Sequence, residues 1–353
     1  MSQARVRIGL IGAGGNTRSR HIPGFQAIDG VELVTVANRS EASSAQVASE
    51  FGIPRTSSDW RAVIDDPEVD AVCIGTWPYT HAQMTIAALE AGKHVLCEAR
   101  MAARSDEARE MLRCSRQHPG LTAQIVPAPH TLPLDQTIVE LVGGGYIGDL
   151  ISLDARIVNG NFPEAEGKVH WRHDRELSGN NVMNMGIWYE AVMRWVGPAS
   201  SVSAVGQSVV AHRLDDTGRR VPMMIPDHID VIGEMEQGGQ MRFAVSSAVG
   251  FAQTEVYLFG TEGTLCVRAI EGQSLGLFGG RRADAGLAPI EIPAEKRGGW
   301  RVEEEFVRSV RGLETVTHTD FATGLRYMEW TDAVTRSLRG RRRVQLPLEV
   351  DGG

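Results

Sequence analysis

Along the first third of the chain, apolar residues come in short unbroken runs. Each run is followed by a stretch where apolar positions return every third or fourth residue. The runs are Val6–Ile11, Val31–Ala37, Val69–Ile74 and His94–Glu98. Apolar runs of that length without polar alternation read as strands buried on both faces. Between and after them, Ala42–Phe51, His81–Ala91 and Ser105–His118 carry helical periodicity. The second helix stops at Gly92, a residue suited to a C-cap, and the third opens on a serine followed by Asp106 and Glu107, which complement a helix N-terminus. Strand and helix in alternation predict a parallel, doubly wound sheet.

Beyond about residue 125 the rhythm changes. A helix is expected over Gln136–Val142, ending in Gly143-Gly-Gly. Longer strand-like runs follow at Leu150–Val158, Val202–His212, His228–Glu236, Met241–Val249, Glu255–Phe259 and Thr264–Ile270. One helix, Asn181–Val196, interrupts them before Gly197-Pro198, and a last helix is expected over about 322–338. Gly279–Gly299, rich in Gly, Arg and Ala, reads as an exposed loop. This half predicts an α+β domain on an antiparallel or mixed sheet.

A length of 353 residues is too great for one ordinary core and fits two domains. The formal net charge of −8 argues against nucleic acid or an anionic membrane surface as a partner. The cluster Arg339, Arg341, Arg342, Arg343 reads as a solvated helix end. No run approaches the ~18 apolar residues of a membrane span, and no secretory signal is visible. None of the four cysteines forms a Cys-x-x-Cys pair, and Cys73 and Cys97 fall in expected buried strands. Reduced thiols in a cytoplasmic protein follow, and no Cys/His spacing supports a metal site.

The most specific local signal is the turn after Val6–Ile11, with glycine at 12, 14 and 15 and a helical segment behind it. A strand, a glycine turn and a helix start make a cradle for a dinucleotide pyrophosphate, because the backbone comes close and the first helical N–H groups point at the phosphates. Gly12, Gly14, Gly15, Asn16 and Thr17 are the candidate contacts. Thr17 stands where a third glycine is usual, at some cost in close helix–strand packing. About twenty residues on, where a carboxylate would hold the ribose 2′-hydroxyl of NAD, the chain has Asn38, Arg39 and Ser40. The missing carboxylate removes repulsion toward a 2′-phosphate and Arg39 can pair with one, so NADP is favoured over NAD.

Taken with these elements, several motifs resemble the glucose–fructose oxidoreductase/inositol dehydrogenase/rhizopine-catabolism (Gfo/Idh/MocA) family nearly end to end. They are Gly12-Ala-Gly-Gly15, Asp70-Ala-Val-Cys-Ile-Gly-Thr76 with His81, Ala87 through Glu98, Gly145-Tyr-Ile-Gly-Asp149, Trp171-Arg172, Met185-Gly186 and Gly324 through Val344. The resemblance implies an α/β Rossmann domain over 1–125. It implies an α+β domain over 126–353 with a large open, mostly antiparallel sheet. It also implies bound NAD(H) or NADP(H), hydride transfer on a carbohydrate-like small molecule, and a homodimer or homotetramer built through the open sheet face. By the same resemblance Thr76, Trp77, Pro78 and His81 line the nicotinamide ribose, Glu98 belongs to the cofactor site, and Trp171, Arg172 and Trp188 meet the substrate.

The family's catalytic residues are absent from their usual places. Where it has Glu-Lys-Pro this chain reads Glu98-Ala99-Arg100, and where it has Asp-x-Gly-x-His this chain reads Asn184-Met-Gly-Ile-Trp188. An indole N–H only donates and an arginine stays charged, so neither shuttles a proton at neutral pH. Arg100 can still polarise a carbonyl or bind an anion. Asn184 and Trp188, four apart, share a helix face that by resemblance looks toward the nicotinamide. Tyr189 lies about 100° further round and is a candidate acid, with Glu190 turned away. His130, in Pro127-Ala-Pro-His130, is the histidine favoured as substitute acid/base. His170 and His173 lack a third ligand pattern for a metal.

The leading expectation is an NAD(P)-dependent dehydrogenase or reductase of a sugar, cyclitol or glycoside with a non-standard acid/base set. The alternatives are a redox-neutral enzyme that cleaves glycosides by oxidation and elimination on tightly held NAD, and a non-catalytic cofactor-binding sensor.

Overall fold

The structure is a computed structural model and describes residues 4–349 apart from 58, 165, 181, 183 and 271–274. It divides into two compact units. Residues 1–127 and 301–325 make the first, and 128–300 and 326–353 the second, so the two units alternate along the chain.

The N-terminal unit holds six parallel strands: β1 Val6–Ile11, β2 Val31–Ala37, β3 Arg55–Ser57, β4 Ala71–Ile74, β5 His94–Cys97 and β6 Ala123–Ile125. They pair in the order β3-β2-β1-β4-β5-β6. The order reverses between β1 and β4, which opens a crevice at their C-terminal ends. β1 and β4 are almost wholly buried, as their unbroken apolar runs predict. Helices at Glu41–Phe51, Pro78–Glu90 and Ser105–Gln117 return the chain between strands. Glu41–Phe51 is capped at its start by Ser40 and ended by Gly52 at φ 67°. The short β3, a helix at Trp60–Ile64 and the helix Val302–Val310 were not expected from the sequence.

The second unit is built on nine strands. In chain order these include β7 Leu150–Val158, β8 Ala199–Gln207, β11 His228–Met235, β12 Gln240–Ser246, β13 Glu255–Gly260, β14 Gly263–Arg268 and β15 Gly276–Arg281. The short strands β16 Ala288–Pro289 and β17 Val344–Gln345 complete the order β16-β15-β14-β13-β7-β12-β11-β8-β17. A separate hairpin pairs β9 His212–Leu214 with β10 Arg220–Pro222. Among the described residues of the large sheet only β7 and β12 are parallel neighbours; the other pairings are antiparallel.

Strand register separates the two faces. Val231, Phe243, Ala155, Val256, Val267 and Leu277 stand side by side and are all buried. The neighbouring row, Ile232, Arg242, Asp154 and Tyr257, is left open, with Ile232 60% exposed. The buried face packs helix Met185–Val196 and the C-terminal helix Phe321–Gly340, through Tyr189 stacked on Trp330 at 4.1 Å and both rings edge-on to Phe243. Among described residues no helix is long and apolar enough to cross a membrane. The expected loop Gly279–Gly299 is in part β15 and β16. The expected start of the interrupting helix, Asn181, lies outside the described residues.

Candidate functional site

At the reversal point of the first sheet lies a cleft of about 540 Å³, floored by the glycine turn after β1. Gly12 has φ 84° and sits so close to the Thr76 loop that a Cβ would fall 2.6 Å from Thr76 Cγ2, so only glycine fits. At Gly14 and Gly15 an added Cβ meets open space, apart from one ordinary contact at 3.7 Å. These two residues present bare backbone to the cleft, with the helix starting directly behind. A pyrophosphate fits such a cradle.

Thr17 explains its own departure from the usual glycine. Its Oγ1 donates to the Gly12 carbonyl at 3.2 Å, and a Cβ on Gly75 would fall 2.1 Å from that Oγ1. The close helix–strand approach is preserved, with the missing Cβ moved across the contact to Gly75.

The three residues after β2 have separate roles. Asn38 Oδ1 accepts from Ala13 N at 2.7 Å, and its Nδ2 donates to Ser43 O and Oγ at 3.1 and 3.0 Å, so the amide braces the glycine turn. Ser40 caps the next helix by accepting from Ser43 N. Arg39 is exposed, and its guanidinium lies 5.8 Å from the Trp77 ring centroid across the cleft lining.

Beyond β4, Thr76 Oγ1 and Thr80 Oγ1 are 2.7 Å apart, and buried Pro78 opens helix Pro78–Glu90. His81 was expected at the ribose. The structure instead buries it completely, with Nδ1 2.8 Å from the Arg100 carbonyl and Nε2 3.1 Å from the Thr76 carbonyl. Burial lowers its pKa, and the ring lies between two loops and is not part of the cleft wall. Arg100 is 6% exposed, and the Ala99–Arg100 peptide is cis.

Glu98, after β5, accepts from Asn16 Nδ2 and from its neighbour Ala99 N. It also faces His21 Nε2 at 2.9 Å. Burial opposes its ionisation, but the bonds from His21, Asn16 and Ala99 outweigh it and lower its pKa. On the other side of the His21 ring, Nδ1 is 2.5 Å from Glu303 Oε1.

In the second unit His130 lies flat against Trp188, with ring centroids 4.9 Å apart and planes 6° from parallel. Its Nε2 is buried and has no hydrogen-bond partner. Burial and the nearby Arg194 lower its pKa, which keeps the ring neutral. Arg194 is fixed by Glu190 at 2.5 Å, Asp135 at 2.9 Å and the Ala128 carbonyl at 3.3 Å. Glu190 also accepts from Ala128 N at 3.0 Å. Glu190, expected to turn away, is thus a brace for the segment that carries His130. Asn184 stands at the start of helix Met185–Val196, four residues from Trp188, and its Oδ1 is likewise buried without a partner.

Tyr189 does not join them. It is 1% exposed, its hydroxyl accepts from Ala199 N at 2.7 Å, and burial pushes its pKa up. It is a core residue and the acid role expected for it is withdrawn. Trp171 and Arg172 stack on each other at 4.3 Å in a short 3-10 turn. His170 and His173 accept backbone N–H groups of Arg172 and His170, and burial together with Arg213 lowers His173 to about 4.

Residues 6–124 match the model described as "Oxidoreductase family, NAD-binding Rossmann fold", and 136–266 match the "GFO/IDH/MocA C-terminal domain". The chain belongs to the Gfo/Idh/MocA oxidoreductase family. An uncharacterized oxidoreductase of Rhizobium meliloti is 30% identical over 192 residues, a stretch covering 54% of this chain and 56% of that protein. The 1,5-anhydro-D-fructose reductase of Ensifer adhaerens is 28% identical over 275 residues, covering 75% and 76%. Among solved structures, a levoglucosan dehydrogenase in complex with NADH and L-sorbose superposes with TM-score 0.84 at 20% identity, over 97% of this chain and 99% of that one.

For a Gfo/Idh/MocA chain, two features stand out that motif reading missed. His21 and Glu303 are 282 positions apart, and no local pattern links them. Glu190 and Arg194 are separated by one helical turn, a spacing that marks an ion pair. Their buried partner Asp135 is on another helix, and nothing in sequence connects it to them.

Proposed function

We propose that this protein is an oxidoreductase that prefers NADP(H) and acts by hydride transfer at a CH–OH carbon of a sugar, cyclitol or glycoside, with His130 as the acid/base. The observation that carries the reading is His130 Nε2, a buried polar atom without a partner on a ring stacked against Trp188. Buried polar atoms are normally paired, and we read this orphan as a partner held for a ligand's hydroxyl group.

The bound dinucleotide supplies the hydride acceptor or donor. The protein's share is to move the proton and hold the substrate. A neutral His130 accepts a hydroxyl proton at Nε2 on oxidation and returns it on reduction. The stacked indole fixes the plane of the imidazole, and Arg194 nearby keeps it from charging in the resting state. Asn184 Oδ1 accepts from a second hydroxyl. Levoglucosan dehydrogenase and 1,5-anhydro-D-fructose reductase, among the relatives, are named for carbohydrate substrates, in keeping with this class.

Arg39 supports the preference for NADP(H). It lies on the cleft wall against Trp77, the adjoining Asn38 is an amide, and no ion pair engages Arg39 among the described residues. One charge-assisted bond to a 2′-phosphate contributes about 1.5–3 kcal/mol, or roughly tenfold to a hundredfold in affinity. Arg39→Ala is expected to weaken NADPH by that factor and to leave NADH nearly unchanged. Self-association is proposed through the open sheet row around Ile232, to be read from the mass in solution.

The test is nicotinamide absorbance with NADP+ or NADPH across a panel of sugars, cyclitols and keto-sugars, in wild type and His130→Gln. Turnover in wild type with a loss of about a hundredfold or more in kcat for the variant is expected. Unchanged kcat in the variant removes His130 from the mechanism. Glycoside cleavage with no net absorbance change replaces the reading with the redox-neutral one.

A further inference from the structure

The reading above leaves His21 unused, although it is engaged by two carboxylates. It is 0% exposed, between Glu98 on one side and Glu303 on the other. It closes a π-helical stretch, Thr17–His21, directly behind the glycine turn, and π segments occur mostly as short insertions at functional sites. Asn16, at the start of that helix, gives its amide to the same Glu98 oxygen that faces His21. Glu98 stands at the C-terminal end of β5, the edge where a doubly wound sheet binds its ligand. Helix Val302–Val310 is held against the same cluster so closely that a Cβ on Gly24 would fall 2.7 Å from Glu303 Oε2.

We propose that His21 is a positioning residue for the dinucleotide: an imidazolium clamped between Glu98 and Glu303 that fixes Glu98 and Asn16 beside the glycine turn and offsets negative charge facing an anionic cofactor. This rests on the dinucleotide reading of the cleft. Two carboxylates flank one cation. A neutral imidazole donates from a single nitrogen, so loss of the proton deprives one carboxylate of its partner and adds a full negative charge near the phosphate cradle.

Burial alone would drive the His21 proton off, but the hydrogen bonds to Glu303 and Glu98 outweigh it and raise the group to about 9. The other groups around the ring do not titrate in that range or are paired elsewhere. Burial raises Cys73 and Cys97 and lowers His81, so all three are neutral. On the same helix Arg18 pairs with Glu50. On helix Val302–Val310, Glu304 pairs with Arg301 and Glu305 with Thr317 and Gln124. Arg100, two residues from Glu98, stays charged throughout.

The experiment is a fluorescence titration of NADPH and NADH on the full-length protein from about pH 7 to about pH 10, with thermal melts in parallel. Wild-type affinity is expected to hold to about pH 8 and then weaken roughly twofold to tenfold as the pH passes about 9. In Glu303→Gln the same decline moves to lower pH, because His21 loses a partner that holds its proton. In His21→Gln the affinity is already reduced at pH 7 and stays flat. If the Glu303→Gln decline coincides with that of wild type while only the melting temperature falls, His21 is merely structural and the inference is overturned. A flat wild-type curve overturns it even if both variants fail to fold. Failure of wild type to bind either nucleotide at any pH overturns the cleft reading itself.

Discussion

Replacing Gly14 by alanine separates the fold of the glycine turn from its use. An added Cβ has one neighbour, the Gly75 carbonyl oxygen at 3.7 Å, and the residue is not in the left-handed region. The folded protein therefore accommodates the methyl group, while the unfolded chain loses freedom, a gain of about 0.4–1 kcal/mol. For a unit of this size that raises the melting temperature of the cofactor-free protein by about 1–4 °C. On the proposed cradle, the same methyl group stands where the backbone would meet a phosphate. Loss or lengthening of one charge-assisted hydrogen bond costs about 1.5–3 kcal/mol, which is roughly tenfold to a hundredfold in Kd. Melts without cofactor and fluorescence titrations of NADPH read the two effects independently. Gly12→Ala is the contrast, since φ 84° and the 2.6 Å approach to Thr76 make it lose stability and affinity together. Unchanged affinity in Gly14→Ala would refute the cradle, and a melting point several degrees below wild type would refute the packing argument.

Tyr189→Phe leaves Ala199 N–H buried without its acceptor, so stability should fall by about 1–3 kcal/mol while kcat stays within about twofold; a large loss of kcat at unchanged stability would reinstate Tyr189 as a proton donor. Gly75→Ala drives a Cβ to 2.1 Å from Thr17 Oγ1 and 2.3 Å from the Gly12 carbonyl. It should cost about 3 kcal/mol or more in urea unfolding, and Thr17→Gly should restore only part because the carbonyl clash persists. The His21 proton stabilises the folded state, with its pKa raised above the unfolded value. Its contribution, of the order of 3 kcal/mol, is full below about pH 6.5 and is lost as pH rises through about 9. Melting of wild type should fall across that window more steeply than melting of His21→Gln, and parallel curves would count against a charged His21.

The sequence made the first sheet legible because its central strands are buried on both faces and carry no polar interruption. β3 escaped because Arg55–Ser57 is a three-residue edge strand with exposed side chains. β15 escaped for a subtler reason. Gly279 and Gly280 read as loop, but at Gly279 a Cβ would fall 2.5 Å from Ile290 Cδ1, and at Gly276 in the same strand 1.9 Å from Ile270 Cδ1, so these glycines are small because neighbours fill the space. The cleft was legible in the glycine turn and Arg39. Asn38 lines the cleft, but its amide is spent on Ala13 and Ser43, which only coordinates reveal. In the second unit helical spacing put Asn184 and Trp188 on one face. It misplaced Tyr189 because helix Met185–Val196 is buried on nearly every side, so its periodicity carries little direction.

The return of residues 301–325 to the first unit has a consequence for synthesis. A chain emerging from the ribosome exposes Met1–Pro127 long before Glu303 exists. Until then His21 has one carboxylate instead of two, and Gln124 lacks Glu305, its partner at 2.8 Å. The first unit is therefore begun first but completed only after residues 128–300 of the second have been made, and the second is itself completed last, by residues 326–353. Domains that fold in order of synthesis are the common case. Here a fragment ending near residue 127 is an unfinished domain, and expressing it alone tests a folding intermediate and not the cofactor site.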